Sequence, residues 1–492
     1  MNRTTHYRYD LRKHLLQVLR PAEEKDGRIL YQKISFSYDE NGNKTKEVRH
    51  GGYWNEEGNL AGKSGTDLCL TFVYDARNRL IRIKDGLGAA VRYCYDVKGN
   101  RIHEERQVSD TVKQVIRYTY DRAGRLIEEK EELNSGLEGI PGEDKSAITR
   151  YRYDENGNRT EIITPEGYQV LREYDACDRL ISERSVDKAN GIDRTVKIAY
   201  DKAGNITKVT RQGRGSNEWD ICYDYDLKDR LTHVADCLGP VFRYEYNKND
   251  QVVEALLPQA EEQPERQRGY RYRYDHRGNV LEKADTAGTV LEQNEYLADG
   301  ALARRVTADG NELSYTYGAN GQESEIHTAR SKKKEQAAQR YTYDSRGRII
   351  GIADGNQNRT GYAVDGWGRI RQVQGADDGE EGYTYDYAGN VTGTTDANGG
   401  VITYRYNSQG RVCEIIDQEG NSETFRYDRE GRMVLHTDRN GNQVRTAYNM
   451  DSNPVLETGS DKEGERTETR RWEYNSLGKT VKSIAGGLLL HL

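Results

Sequence analysis

The stretch from Tyr383 to Asn453 contains YTYDYAGNV at Tyr383, YRYNSQGRV at Tyr404, FRYDREGRM at Phe425 and TAYNMDSN at Thr446. The second aromatic of each segment falls at Tyr385, Tyr406, Tyr427 and Tyr448, 21 residues apart every time. A fixed period of this length marks a repeat architecture, in which one supersecondary unit stacks on the next. A second turn lies half a period away: Asp386 to Gly389 is followed by Asp396 to Gly399, Asn407 to Gly410, Asp417 to Gly420, Asp428 to Gly431 and Asp438 to Gly441. The rhythm is therefore one turn every ten or eleven residues.

Such a tetrad turns for a physical reason. An Asp or Asn side chain at its first position accepts a backbone N–H two residues on, and glycine at its fourth tolerates positive φ. Asp121 and Gly124, Asp154 and Gly157, Asp275 and Gly278, Asp344 and Gly347, Asp386 and Gly389, and Asp428 and Gly431 are read as structural turn pairs. The six or seven residues between turns make a strand of roughly 20 Å. The fold class is all-β, a long antiparallel meander of hairpins. Residues two apart share a face of a strand, so Tyr404 and Tyr406 project together and Arg405 projects oppositely. Fixed register then aligns tyrosines across strands, in pairs worth about 0.2–1 kcal/mol each.

Outward from this stretch the signature recurs at Tyr9, Tyr38, Tyr74, Tyr95, Tyr120, Tyr153, Tyr174, Tyr200, Tyr225, Tyr246, Tyr274, Tyr296, Tyr317 and Tyr343, weakly at Val364, and again at Tyr474. That is about twenty repeats in one continuous array over residues 1–492, with polar insertions near 51–70, 131–149, 258–269, 329–340 and 457–468 read as rim loops. About forty strands at roughly 4.8 Å give a ribbon of about 190 Å. Open sheets rarely exceed about ten strands without curling. The ribbon is expected to coil into a spiral shell, and a wall of that length closing once would enclose a space on the order of 60 Å across.

Composition agrees. Tyrosine occurs 36 times against four Phe, and glycine 50 times against seven Pro, as expected of strands joined by tight turns. The net charge is −7 with both signs interleaved, unlike the one-signed basic face of a nucleic-acid binder. The basic run Lys332, Lys333 and Lys334 sits beside Glu335 and reads as a solvated loop. Six scattered cysteines do not make a disulfide framework. The N-terminus has no apolar core of signal-peptide length, and no stretch approaches the eighteen or so apolar residues of a membrane span.

The units YTYDRAGRL at Tyr118, YRYDENGNR at Tyr151, YRYDHRGNV at Tyr272 and YTYDSRGRI at Tyr341 resemble the YD repeat of the RHS and teneurin superfamily, which includes the shells of insecticidal toxin complexes. The resemblance covers nearly the whole chain. It implies a β-sheet cocoon that encloses a toxin or other polypeptide cargo, in a bacterial polymorphic-toxin setting, secreted or at the cell surface as part of a larger protein. The partners it implies are that cargo or neighbouring shell segments. The alternative is an adhesion or carbohydrate-binding module, for which Tyr404 and Tyr406 are the candidate contacts to sugar or cargo. Bacterial members usually carry Asp-Pro-x-Gly motifs and an aspartate-dependent self-cleavage site, and no Asp-Pro dipeptide occurs in this sequence. The expectation is shell wall without a separate core-protease or toxin domain.

No catalytic, cofactor or metal residues are assigned. The nine histidines lack HExxH or paired-ligand spacing. The row of aspartates is explained by turns. The tetrads at Asp396, Asp417 and Asp438 lack the D-x-D-x-D-G series of a calcium loop. Asn158, Asn205 and Asn390 match a glycosylation pattern that the turn followed by a β-former produces by itself.

Overall fold

A computed structural model describes residues 4–490 apart from 64, 135–145, 214–217, 258–267, 331–335, 465 and 476–477. The basic run at Lys332 to Lys334, His491 and most of the insertions at 131–149 and 258–269 lie outside the described residues.

The described residues contain no helix and form one antiparallel sheet of 42 strands. Each strand pairs with its sequence neighbours, as Val391–Thr395 does with Glu380–Tyr385 on one side and Val401–Tyr406 on the other. One interruption falls in the 51–70 insertion, where Gly52–Trp54 and Leu60–Lys63 form a small hairpin. That hairpin extends the long strand Arg28–Tyr38 through the pairing of Tyr31 with Trp54, while Lys44–Arg49 passes directly to Leu68–Tyr74. The 457–468 insertion is not a loop but two lengthened strands, Pro454–Ser460 and Arg466–Tyr474.

The turns show why the tetrad works. At Asp386 the backbone N–H donates to the Asn390 carbonyl at 3.0 Å, and Gly389 N–H donates to the Asp386 carbonyl at 3.2 Å. Gly389 closes the loop with φ of 94°, which defines a type I turn followed by a left-handed residue. The Asp386 carboxylate accepts the Asn390 backbone N–H at 2.8 Å and its side-chain amide at 2.8 Å. The carboxylate thus organises five residues, where the sequence alone suggested a single bond two residues on.

In the Tyr-Asp hairpins the register slips by one residue next to the aromatic, as between Arg405 and Tyr406 or Arg426 and Tyr427. The hairpins on the opposite edge mostly keep a regular register. A bulge adds local twist and bends its strand. Bulges concentrated on one edge make the two edges unequal and favour coiling.

The tyrosine hydroxyls bridge successive repeats. Tyr406 Oη donates to the Val391 carbonyl at 2.6 Å, Tyr427 to Val412 at 2.7 Å and Tyr448 to Met433 at 2.8 Å. Tyr95, Tyr153, Tyr246 and Tyr317 repeat the contact upstream. In each case the ladder between the two strands has already stopped, since Thr403 with Gly393 is the last pair before Tyr406. The hydroxyl takes the carbonyl that the ladder leaves open, and a buried acceptor without a partner is costly.

The substitution Tyr406→Phe is expected to destabilise the protein by about 1–2 kcal/mol, because it leaves the Val391 carbonyl without its donor. Tyr404→Phe should be near neutral. Chemical unfolding of both variants measures the difference, and equal effects would contradict the clasp.

Candidate functional site: the seam between coils and the two faces of the wall

The ribbon returns to itself. Trp367 Nε1 donates to Asp85 Oδ2 at 2.6 Å, joining the turn after the eighth strand to the turn after the thirty-first, 23 strands on. Ser408 and Asn134, after the thirty-fifth and twelfth strands, exchange two bonds of 3.0 Å. Met450 N–H reaches Asp187 Oδ2 at 3.0 Å, and Arg194 grips Asp451 with both guanidinium nitrogens at 2.7 and 2.5 Å. Thr164 with Glu430 and Tyr387 with Asp110 continue the seam. The offset stays at 23 strands between the turns after the sixteenth and the thirty-ninth. At roughly 4.8 Å per strand one turn of wall is about 110 Å around and about 35 Å across. The single closure of about 60 Å expected from the ribbon's length is therefore corrected: the ribbon coils more than once, because the Tyr-Asp edge of the later coil finds partners on the opposite edge of the earlier one.

The seam decides which turns are buried. Asp344, Asp386 and Asn407 in the later coil are 3%, 9% and 8% exposed, and Asn449 is fully covered. Asp428, in the same coil, is partly buried, as are Asp121, Asp154 and Asp275 in earlier turns. All six turn aspartates bond the backbone N–H four residues on, from Arg125, Asn158, Asn279, Arg348, Asn390 and Arg432. Gly124, Gly157, Gly278, Gly347, Gly389 and Gly431 all take positive φ.

Sequence reasoning missed two kinds of residue. The first follows the turn aspartate: Ser345, Ser408 and Met450 face the seam, while the equivalent Leu11, Val97 and Leu227 stand at 105%, 84% and 106% exposure on the free edge. The second is the arginine after the left-handed residue that closes the turn, which is glycine at Gly124, Gly368 and Gly431 but Asn78, Asp178 and Asp229 elsewhere. Arg369 bonds Asp365 through Nε, donates from Nη1 to the Asp386 carbonyl at 3.0 Å, and lies 4.7 Å from the centre of the Tyr385 ring. Arg79, Arg125, Arg179, Arg230 and Arg432 do the same, tying each turn to the next.

The two faces differ. Tyr404 and Tyr406 are half-buried while Arg405 between them is exposed and pairs with Glu414 at 2.8 Å. The Tyr406 hydroxyl is occupied by the clasp, and Tyr404, two residues before it in the strand, shares its face. Exposed pairs such as Arg405 with Glu414 and Arg273 with Glu282 contribute little stability each.

Turn carboxylates such as those of Asp121 and Asp226 sit below their ordinary range. At Asp226 the bond from the Arg230 side chain, aided by backbone N–H groups, lowers the pKa to about 2. At Asp121 the Arg125 backbone N–H leads, followed by its guanidinium. A depressed carboxylate contributes stability that is present above its unfolded pKa and lost as pH falls through the folded value. Acid should leave the sheet intact down to about pH 4 and weaken it progressively toward pH 2. A circular-dichroism titration measures this, and loss of the sheet above pH 5 would contradict it. The seam is tested by the double variant Asn134→Cys with Ser408→Cys, expected to form a disulfide under mild oxidation. No cross-link would contradict the stacking.

Among the described residues no group of His, Cys, Asp and Glu is arranged to hold a metal ion, and no helix is long and apolar enough to cross a membrane. Comparison with known proteins bears on the wall itself. A probable deoxyribonuclease RhsB of Dickeya dadantii (strain 3937) is 29% identical over 182 residues, covering 37% of this chain and 11% of that protein. The crystal structure of TcdB2-TccC3-Cdc42 superposes with a TM-score of 0.70 at 15% identity, covering 98% of this chain and 30% of that one. The Photorhabdus luminescens Tc holotoxin pore gives 0.68 at 15% identity, covering 99% and 30%. The chain thus spans under a third of the length of the relatives it matches, and the likeness to the solved structures is one of fold. The model of the teneurin YD-shell matches over residues 94–288, 181–324 and 302–460, well over half of the sequence, and the chain belongs to this RHS and YD-repeat shell family.

Proposed function

We propose that this chain is a wall segment of an RHS-type shell that encloses a toxin or other polypeptide cargo, a structural role that calls on no catalysis by the wall. The observation that carries the reading is the seam, which closes the gap between successive coils and turns an open ribbon into a continuous wall. Hydrogen-bonded strands joined turn to turn across the seam would keep proteases and bulk water from whatever lies within. The partners are the cargo and adjoining shell segments, and the setting is secreted or cell-surface, as part of a larger protein. The carbohydrate-binding reading rests on the exposed part of the Tyr404 and Tyr406 face and gains no specific support, since the Tyr406 hydroxyl is already used.

Limited proteolysis of the natural full-length polypeptide tests enclosure. A segment inside the shell is expected to survive a protease that cuts an exposed tag, and to become cleavable when seam contacts are removed by Arg194→Ala with Ser408→Trp. Equal cleavage of enclosed segment and tag in the unaltered protein would overturn the reading. Selective retention on a glycan array, lost in Tyr404→Ala with Tyr406→Ala, would favour the alternative.

A further inference from the structure

One constellation stands outside the repeat. Where the strand Lys44–Arg49 ends and the inserted hairpin begins, His50 Nε2 lies 2.7 Å from Ser35 Oγ, and His50 Nδ1 lies 3.1 Å from Asp67 Oδ2. Among the described residues no other histidine links a hydroxyl through one ring nitrogen and a carboxylate through the other. The three residues come from separate places: Ser35 from within Arg28–Tyr38, His50 from one side of the insertion and Asp67 from the other. His50 and Asp67 are fixed by further bonds. His50 N–H donates to the Lys33 carbonyl at 3.0 Å, and Asp67 Oδ1 accepts Gly51 N–H at 2.9 Å. Arg346 of the later coil donates to the carbonyls of Arg49 at 2.7 Å, His50 at 3.3 Å and Thr66, clamping the base of the insertion from across the seam.

We propose that Ser35 is an activated nucleophile, with His50 as its general base and Asp67 as the positioning residue, in a site that takes the acyl group of a carboxylic ester. The geometry is that of a nucleophile bonded to a base that is itself oriented by a third group. Asp67 accepts a hydrogen bond from His50 Nδ1–H and thereby leaves the Nε2 lone pair facing the Ser35 hydroxyl. Burial holds the imidazole below its ordinary pKa and so keeps it neutral, with Lys33 and Arg346 acting in the same direction and Asp67 against them. Two donor side chains lie near His50. The Trp54 ring packs edge-on against His50 at 5.3 Å, and its indole N–H is buried without a partner. Lys33, two residues from Ser35 and on the same face of its strand, places its ammonium 4.0 Å from the Trp54 ring centre. Ser35 itself is only partly buried.

The step balances without a co-reactant. Ser35 Oγ bonds to the carbonyl carbon while its proton passes to His50 Nε2. The bond to the alkoxide then breaks, and the alcohol leaves with that proton. Water, deprotonated by the same nitrogen, releases the acid and restores Ser35. This chemistry is separate from the wall, and enclosure of a cargo neither requires it nor follows from it.

A fluorophosphonate probe tests it on the intact chain, because attack by Ser35 on phosphorus expels fluoride and leaves a stable adduct that peptide mass spectrometry locates. The expected result is one adduct, on Ser35, absent from Ser35→Ala and formed about 100-fold more slowly in His50→Gln. In Asp67→Asn the pH of half-maximal labelling should fall, since the carboxylate raises the His50 pKa and Lys33 and Arg346 lower it. An Asp67 with only a structural role would change stability without moving that pH. No adduct on Ser35 in the unaltered protein, or undiminished labelling in a folded His50→Gln, would overturn the proposal whatever the fate of the shell reading.

Discussion

The structure depends on satisfying backbone carbonyls where each ladder of the sheet gives out. A hairpin that carries a loop and a bulge cannot keep both of its neighbours paired to the last residue. At the Tyr-Asp edge the carbonyl left over is met by the tyrosine hydroxyl of the next repeat, as at Val391 and Val412. The ring meanwhile fills the half-buried face of the sheet, so one side chain provides apolar cover and a donor at a fixed distance. Phenylalanine offers the first without the second, which accounts for tyrosine rather than phenylalanine at clasp positions such as Tyr406, Tyr427 and Tyr448. Where arginine follows the turn, as at Arg369 and Arg432, it adds a second tie between successive turns on the same edge.

Because these ties run only between neighbours, the wall is quasi-one-dimensional until it meets itself. The seam supplies the long-range contacts, and it is polar: carboxylates, hydroxyls and backbone groups do most of the joining. Joining turn tip to turn tip is the rule along the seam, with buried apolar residues such as Val108 and Val112 beside the polar contacts. The site at Ser35 lies where this rule is broken, at an insertion that a guanidinium from the next coil clamps in place.

The tetrads, the alternation within strands and the identity of the two faces were legible in the sequence, because each rests on residues within about a dozen positions of one another. The clasp was half legible: Tyr406 was assigned to a face, but nothing local indicates that its hydroxyl reaches Val391 across a strand. The size of one coil was not legible. It depends on small twists accumulated over 23 strands, and no residue pair such as Ser408 with Asn134 announces that distance beforehand. The meeting of Ser35, His50 and Asp67 was hidden for the same reason, since the insertion that unites them reads locally as a polar loop.

The odd number of strands in a turn has a consequence for how such chains change over time. Hairpin tips alternate between the two edges, so tips meet tips across the seam only when the offset between stacked turns is odd, as 23 is. Gain or loss of one whole two-strand unit preserves that parity and leaves every tip opposite a tip. Gain or loss of a single strand would place tips against gaps along the entire remaining coil. Duplication and deletion in whole units are therefore the tolerated steps, and the circumference of the wall is free to vary only in increments of two strands.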